Sequence, residues 1–310
     1  MSAESHRPQT EDRSPATYAA FVATCLIWGS TFLAIRFGTE SVPPVWGATI
    51  RLAIASILCF LVLRATGGTF PRGPGLRAAF WFGALNLGVN FVLLYWGEQF
   101  VPSGTAAVIY ATIPISTGIF SAVLGVHRFS RLQLISAAIG LLGVALIFSG
   151  ELLVGAPATA LVAVFTGATC ASFSTVLVKR APPQSTWALN SFGAAIGACV
   201  CLVGTFVLGE TKPMPHGIAG WGPILYLAVL GNLGAYALYG WLITKWKVTN
   251  ASVAALIIPV LAVILGAIVK REAPPPATYA GAALVLTGVA VALFGGRKSE
   301  AAPPGTAVRP

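Results

Sequence analysis

Apolar runs of membrane-spanning length follow one another along almost the whole chain, with only short polar joints between them. About 20 apolar residues wound at ~1.5 Å per residue cover a hydrocarbon layer of ~30 Å. Such runs lie at about 17–37, 44–64, 78–97, 103–126, 131–149, 157–178, 186–208, 218–244, 249–270 and 275–295. The joints are rich in Gly, Pro and charge, as in RATGGTFPRGPGLR and KRAPPQST. Charged residues make up only 9% of the 310, where a soluble domain carries about 25%. So few charges cannot cover a water-facing surface. The chain reads as an all-α polytopic membrane protein with ten transmembrane helices and the lipid bilayer as its solvent.

A net charge of +10 does not point to nucleic acid, because the 19 Lys and Arg are scattered between the runs and form no cluster. Their scatter sets an orientation instead. With both termini cytoplasmic, fourteen of the seventeen loop and tail Lys and Arg lie inside, and only Lys212, Lys270 and Arg271 lie outside. Arg36 and Arg51 fall within runs, and Glu40, Glu98, Glu151, Glu210 and Glu272 all fall outside. The segments 1–16 and 297–310 then become cytoplasmic tails of a multi-pass protein of a bacterial cytoplasmic (inner) membrane. The opening residues MSAESHRPQTEDRS lack the basic start of a signal peptide.

Several chemistries find no footing. Cys25, Cys59, Cys170, Cys199 and Cys201 all lie inside apolar runs, as small packing residues do, so neither a disulfide framework nor a thiolate zinc site is expected. His6, His127 and His216 lie outside the runs, and no HExxH, GxSxG or GxxxxGK[ST] pattern occurs. No carboxylate sits in the middle of a run. No catalytic residue, metal or cofactor is expected.

The chain repeats itself. A shift of 145 residues lays Pro114 on Pro259, Gly143-Val144-Ala145 on Gly288-Val289-Ala290, and Ala23-Thr24-Cys25 on Ala168-Thr169-Cys170. A shift of 146 lays Asn86-Leu87-Gly88 on Asn232-Leu233-Gly234. The halves, 17–150 and 151–296, hold five runs each. An odd number turns the second half over in the membrane, giving the inverted-topology repeat by which secondary transporters present one central site to each side in turn.

The segments WGSTFLAIRF followed by RLAIA, VPSGTAAVIYATIPI, and ASVAALIIPVLAVILGAIVKRE resemble the EamA-type, ten-helix permeases of the drug/metabolite transporter superfamily. The resemblance covers about residues 18–296. It implies one bundle with a substrate cavity lined mainly by spans 1, 3, 4, 6, 8 and 9. That family usually carries Glu thirteen residues after each repeated proline; here the second copy has Glu272 and the first has His127.

Candidate site residues follow from polar and aromatic groups inside the runs. Pro114 and Pro259 each remove a helix donor and free a carbonyl four residues back, as a kink or hinge beside a substrate path would. Asn86 and Asn90 share a helix face, as do Asn232, Tyr236 and Tyr239. Such groups either bind solute or tie helices together. Trp28 corresponds to Phe173 and Thr24 to Thr169 under the shift of 145. With Tyr110 they outline an aromatic cavity with hydroxyl and amide edges. Tyr95 and Trp241, near span ends, either extend that aromatic cavity or belong to an interfacial belt. Arg51, inside the second run, calls for a carboxylate or carbonyl partner, with anion recognition as the other reading. Arg36 and Glu98 sit where surface anchoring or an outer gate would.

The expected function is a secondary transporter, an exporter by family analogy, of a small organic solute such as an amino acid, metabolite or drug. The simplest assembly is a monomer. The rival readings are a passive channel and a membrane-embedded transferase. The topology makes a direct prediction: single cysteines placed in loops 64–77 and 209–217, in a background lacking the native cysteines, should label from opposite faces of the membrane. Labelling of both from one face would overturn this arrangement.

Overall fold

The computed structural model describes residues 12–101, 103–126, 130–149, 156–270 and 276–294. His127, Glu272 and the side chain of Arg36 lie outside the described residues. The helices are α1 (Pro15–Thr39), α2 (Pro44–Ala65), α3 (Gly73–Gly97), α4 (Ser103–Tyr110), α5 (Ile113–Val123), α6 (Arg131–Ile147), α7 (Ala158–Arg180), α8 (Thr186–Val207), α9 (Gly217–Lys245), α10 (Val248–Ala251), α11 (Ala254–Lys270) and α12 (Pro276–Phe294). Among the described residues there is no strand. Helices dominate because hydrocarbon offers backbone N–H and C=O groups no partner, and a helix pairs them within one segment. By length and composition, α2, α3, α7, α8 and α9 can each cross a membrane.

Many large apolar side chains point outward. Val207 is 78% and Leu142 66% exposed, which suits contact with lipid tails. Small residues take the helix contacts instead, since apolar packing between helices gains little over apolar packing against lipid. The helix α6 lies along α12, and α2 along α8. At the first of these seams a Cβ on Gly143 would stand 2.7 Å from the Gly281 carbonyl oxygen, and one on Gly288 would stand 2.7 Å from that of Ser136. Only glycine permits so close a backbone approach. Around these two seams α1 packs on α9 and α11, while α7 packs on α3 and α5.

Polar ties close both ends of the bundle. At one end the Glu210 carboxylate accepts the Val45 N–H at 3.1 Å and the Trp46 N–H at 2.8 Å. It thereby satisfies two free donors in the first turn of α2 and complements that end's positive dipole. The Trp46 indole N–H reaches the Pro213 carbonyl at 2.8 Å. At the other end Lys179 donates to the carbonyls of Ile243 and, at 3.1 Å, Trp246, and the Trp246 indole N–H donates to the Asp12 carbonyl at 2.7 Å.

Regular helix fails at four places. Residues Phe82–Val89 of α3 and Leu227–Tyr236 of α9 are π-helical, a wider winding that recurs at functional sites. Both contain the repeated Asn-Leu-Gly. The other two are breaks, at Ala111–Thr112 between α4 and α5 and at Ser252–Val253 between α10 and α11. The two repeated prolines sit differently relative to these breaks. Pro114 lies in the first turn of α5, where no N–H is required of it. Pro259 lies inside α11, and the nearby break comes seven residues before it.

The glycine seam yields a stability prediction. Gly143→Ala and Gly281→Ala each drive a Cβ into backbone and should destabilise the protein by ~1–3 kcal/mol, as overpacking does. Gly222→Ala, whose Cβ would meet only Ile218 at 3.7 Å, should leave the melting temperature unchanged. Equal melting of all three variants would show that the seam tolerates separation.

Candidate functional site

The four interruptions converge on a cavity of about 160 Å³ near the middle of the bundle. Helix α1 supplies Trp28 and Thr31, α2 supplies Arg51, and α3 supplies Asn86, Asn90, Phe91 and Tyr95. Across from them stand Tyr110 at the end of α4, Thr117 of α5, Thr175 of α7, Tyr236 and Tyr239 of α9, Ser252 at the second break and Pro259 of α11.

The π segment of α3 explains how Asn90 is held. In this wider winding the Asn90 backbone N–H reaches back to the Leu85 carbonyl, passing over the carbonyl of Asn86. The Asn90 side-chain amide reaches that carbonyl instead, with Nδ2 donating to the Asn86 oxygen at 3.0 Å. Its Oδ1 accepts the Tyr110 hydroxyl, so one amide ties α3 to α4 at the cavity wall. Asn86 itself reaches Thr175 Oγ1 only weakly, at 3.5 Å.

The opposite wall is aromatic. Trp28 meets Tyr236 edge to face with centroids 5.3 Å apart, and Tyr239 at 5.0 Å. Phe82 meets Tyr236 at 6.0 Å. Such pairs are favourable geometries for ring quadrupoles and make a stiff apolar surface.

Arg51 is 6% exposed. Its Nη1 donates to the Tyr95 hydroxyl at 2.8 Å, and its Cζ lies 4.3 Å from the centre of the Phe91 ring. Its Nε is buried with no hydrogen-bond partner. Thr117 Oγ1, also at the cavity, is buried and unpartnered too.

The comparisons decide the family. The EamA-like transporter family model matches residues 16–149 and again 158–294. The chain belongs to the EamA-like transporter family. Among its relatives is the "Uncharacterized inner membrane transporter YedA" of Escherichia coli (strain K12), 32% identical over 250 residues that make up 80% of this chain and 81% of that one. A "Probable terminal-alkyne amino-acid exporter" of Streptantibioticus cattleyicolor is 27% identical over 277 residues, covering 87% and 90% of the two chains. A crystal structure shares the fold of this EamA-like protein with a TM-score of 0.76 at 23% identity, covering 93% of this chain and 99% of its own. The protein is a multi-pass membrane transporter.

Within this EamA-like bundle the sequence-derived candidates separate. Trp28, Asn90, Tyr110, Tyr236, Tyr239, Arg51 and Pro259 line the cavity, whereas Thr169, Phe173, Pro114 and Glu98 do not. Thr169 turns back on its own helix, its Oγ1 donating to the Phe165 carbonyl at 2.8 Å. Phe173 packs edge to face on Phe120, centroids 5.2 Å apart. The shift of 145 identifies counterpart positions, but a helix rotated differently against its neighbours need not aim both at the cavity. Pro114 is buried beside the break. Glu98 is half-buried at the end of α3, where desolvation pushes its carboxyl up to about 7, so the neutral form persists to higher pH than for an ordinary carboxylate. Of the two sequence readings for Tyr95, cavity and interfacial belt, the structure has it in the cavity lining, 4% exposed and bonded to Arg51. Thr31, Thr117, Thr175 and Ser252 escaped notice because single hydroxyls in a run usually bond the preceding turn. Among the described residues no three His, Cys, Asp or Glu side chains gather as metal ligands would.

A double-mutant cycle tests the Asn90–Tyr110 tie. Asn90→Leu leaves a buried phenol without its acceptor and should cost about 1–3 kcal/mol. Tyr110→Phe should cost less, and the double variant should fall short of the sum by at least ~0.5 kcal/mol. Strict additivity in denaturant melts would show that the two groups do not act as a pair.

Proposed function

We propose that this transporter is a secondary carrier that moves a small organic solute by alternating access, with the solute bound in the 160 Å³ cavity. The observation that carries this reading is the meeting of both π segments and both helix breaks around one cavity. Interrupted helices at mid-membrane are where carriers expose backbone groups to solute while keeping them out of lipid. The proposed architecture is two five-helix halves, residues 17–150 and 151–296, in inverted topology. The helix contacts support it. Under the shift of 145, α2 against α8 and α6 against α12 are self-paired, α1 on α11 mirrors α7 on α5, and α1 on α9 mirrors α7 on α3. Basic-residue distribution favours both termini in the cytoplasm, and the relative from Escherichia coli favours an inner membrane.

The lining suits an organic solute. Trp28, Tyr236 and Tyr239 accept an apolar body, and Asn90, Thr117 and Thr175 offer neutral hydrogen-bonding edges. The amino-acid exporter among the relatives favours an amino acid or amino-acid-like solute moving outward. A passive channel needs a continuous polar path in one conformation. The apolar lining and the ties at both ends, through Glu210 and through Lys179 with Trp246, favour a carrier instead.

Purified protein in liposomes, challenged with pooled metabolites and read by mass spectrometry, tests the reading. A solute should cross chemically unchanged and with a rate that saturates. Flux rising linearly with concentration would point to a channel, and a covalently altered product to a transferase.

A further inference from the structure

Arg51 is the one feature of the cavity that a site for a neutral solute does not explain. A guanidinium carries five N–H donors, and among the described residues Arg51 uses one of them, toward Tyr95 Oη. Its Cζ stands 4.3 Å from the centre of the Phe91 ring, and Nε is buried and unsatisfied. Among the described residues no Asp or Glu lines the cavity and Arg51 makes no ion pair. A buried cation without a counter-ion is costly in a protein and more so at membrane depth. A partner that arrives and leaves with the solute removes that cost only while the solute is bound.

We propose that Arg51 is the anchor for a carboxylate on the transported solute. This rests on the carrier reading above and narrows it to organic carboxylates with an apolar body. The chemistry selects carboxylate over phosphate. The planar fork of Arg51 matches a planar carboxylate, and one cation balances one negative charge, where a phosphate dianion would need more than the lining provides. The tie to Tyr95 and the stacking on Phe91 hold the guanidinium in a single orientation, so little rotamer entropy is lost when the anion docks. The aromatic wall of Trp28, Tyr236 and Tyr239 receives the remainder of the molecule. Residue 51 is thereby the specificity-determining residue, and Tyr95 positions it.

The test offers matched probes to the protein in liposomes, with protein-free liposomes correcting for leakage. The probes are leucine, phenylalanine and N-acetyl-leucine, each beside its carboxamide, and flux is read by mass spectrometry. The wild type should carry at least one acid about tenfold or more faster than its amide, the scale of a charge-assisted hydrogen bond. In Arg51→Gln that ratio should fall to within about threefold. Arg51→Lys, with the charge but not the fork, should fall between. Tyr95→Phe should raise the apparent KM for the acid while leaving the amide unchanged. Equal flux of acid and amide in the wild type overturns the assignment even if Arg51→Gln does not fold. An unchanged ratio in Arg51→Gln with lowered melting makes the residue purely structural and overturns it too. If pooled metabolites move but none of these carboxylates does, the anchor falls and the carrier stands; if nothing moves, both fall.

Discussion

Every backbone amide in the membrane-spanning segments must find a partner without help from water. Within hydrocarbon an unsatisfied N–H or C=O costs several kcal/mol, and this one demand turns each apolar run into a helix. It also makes each departure from regular helix informative. The π segments at Phe82–Val89 and Leu227–Tyr236 and the breaks at Ala111–Thr112 and Ser252–Val253 leave carbonyls that must be met locally or face a cavity. Asn90 meets one of them with its own side chain. The cavity is lined by residues from both π segments and from at or beside both breaks.

With lipid outside and protein inside almost equally apolar, burial of large side chains cannot hold the bundle together. Close approach does. Gly143, Gly281 and Gly288 bring α6 and α12 to backbone contact, which increases dispersion contacts and weak Cα–H···O interactions. The polar ties sit at the ends, where Glu210 caps α2 and Lys179 caps the end of α9. Under the proposed carrier reading, a bundle that rocks breaks contacts at one end while keeping the other, and hydrogen bonds at the rims with glycine seams between would suit that division.

Electrostatics gives the cavity its direction. A bare cation at Arg51, held between the Tyr95 hydroxyl and the Phe91 ring, is tolerated because the ring quadrupole and one oxygen offset part of its desolvation. They do not replace a counter-ion. The apolar wall of Trp28, Tyr236 and Tyr239 on the other side makes the site amphipathic, with one charged corner and one aromatic face.

The membrane setting and the helical class were legible from the sequence because hydropathy acts locally and additively along the chain, and the family because segments such as VPSGTAAVIYATIPI resemble it. Trp28, Asn90, Tyr110, Tyr236 and Tyr239 were legible as candidates for a similar reason: a large polar or aromatic group inside an apolar run must be accounted for. The sequence could not separate Trp28, which faces the cavity, from its counterpart Phe173, which packs on Phe120. That outcome depends on how far each helix turns about its axis when packed, a property of neighbours distant along the chain. Nor could it foresee the π winding, which arises when tertiary contacts outweigh one strained turn. The surroundings of Arg51 were likewise decided by the tertiary structure, because Phe91 and Tyr95 reach it from another helix and only the packed bundle shows that no carboxylate among the described residues pairs with it.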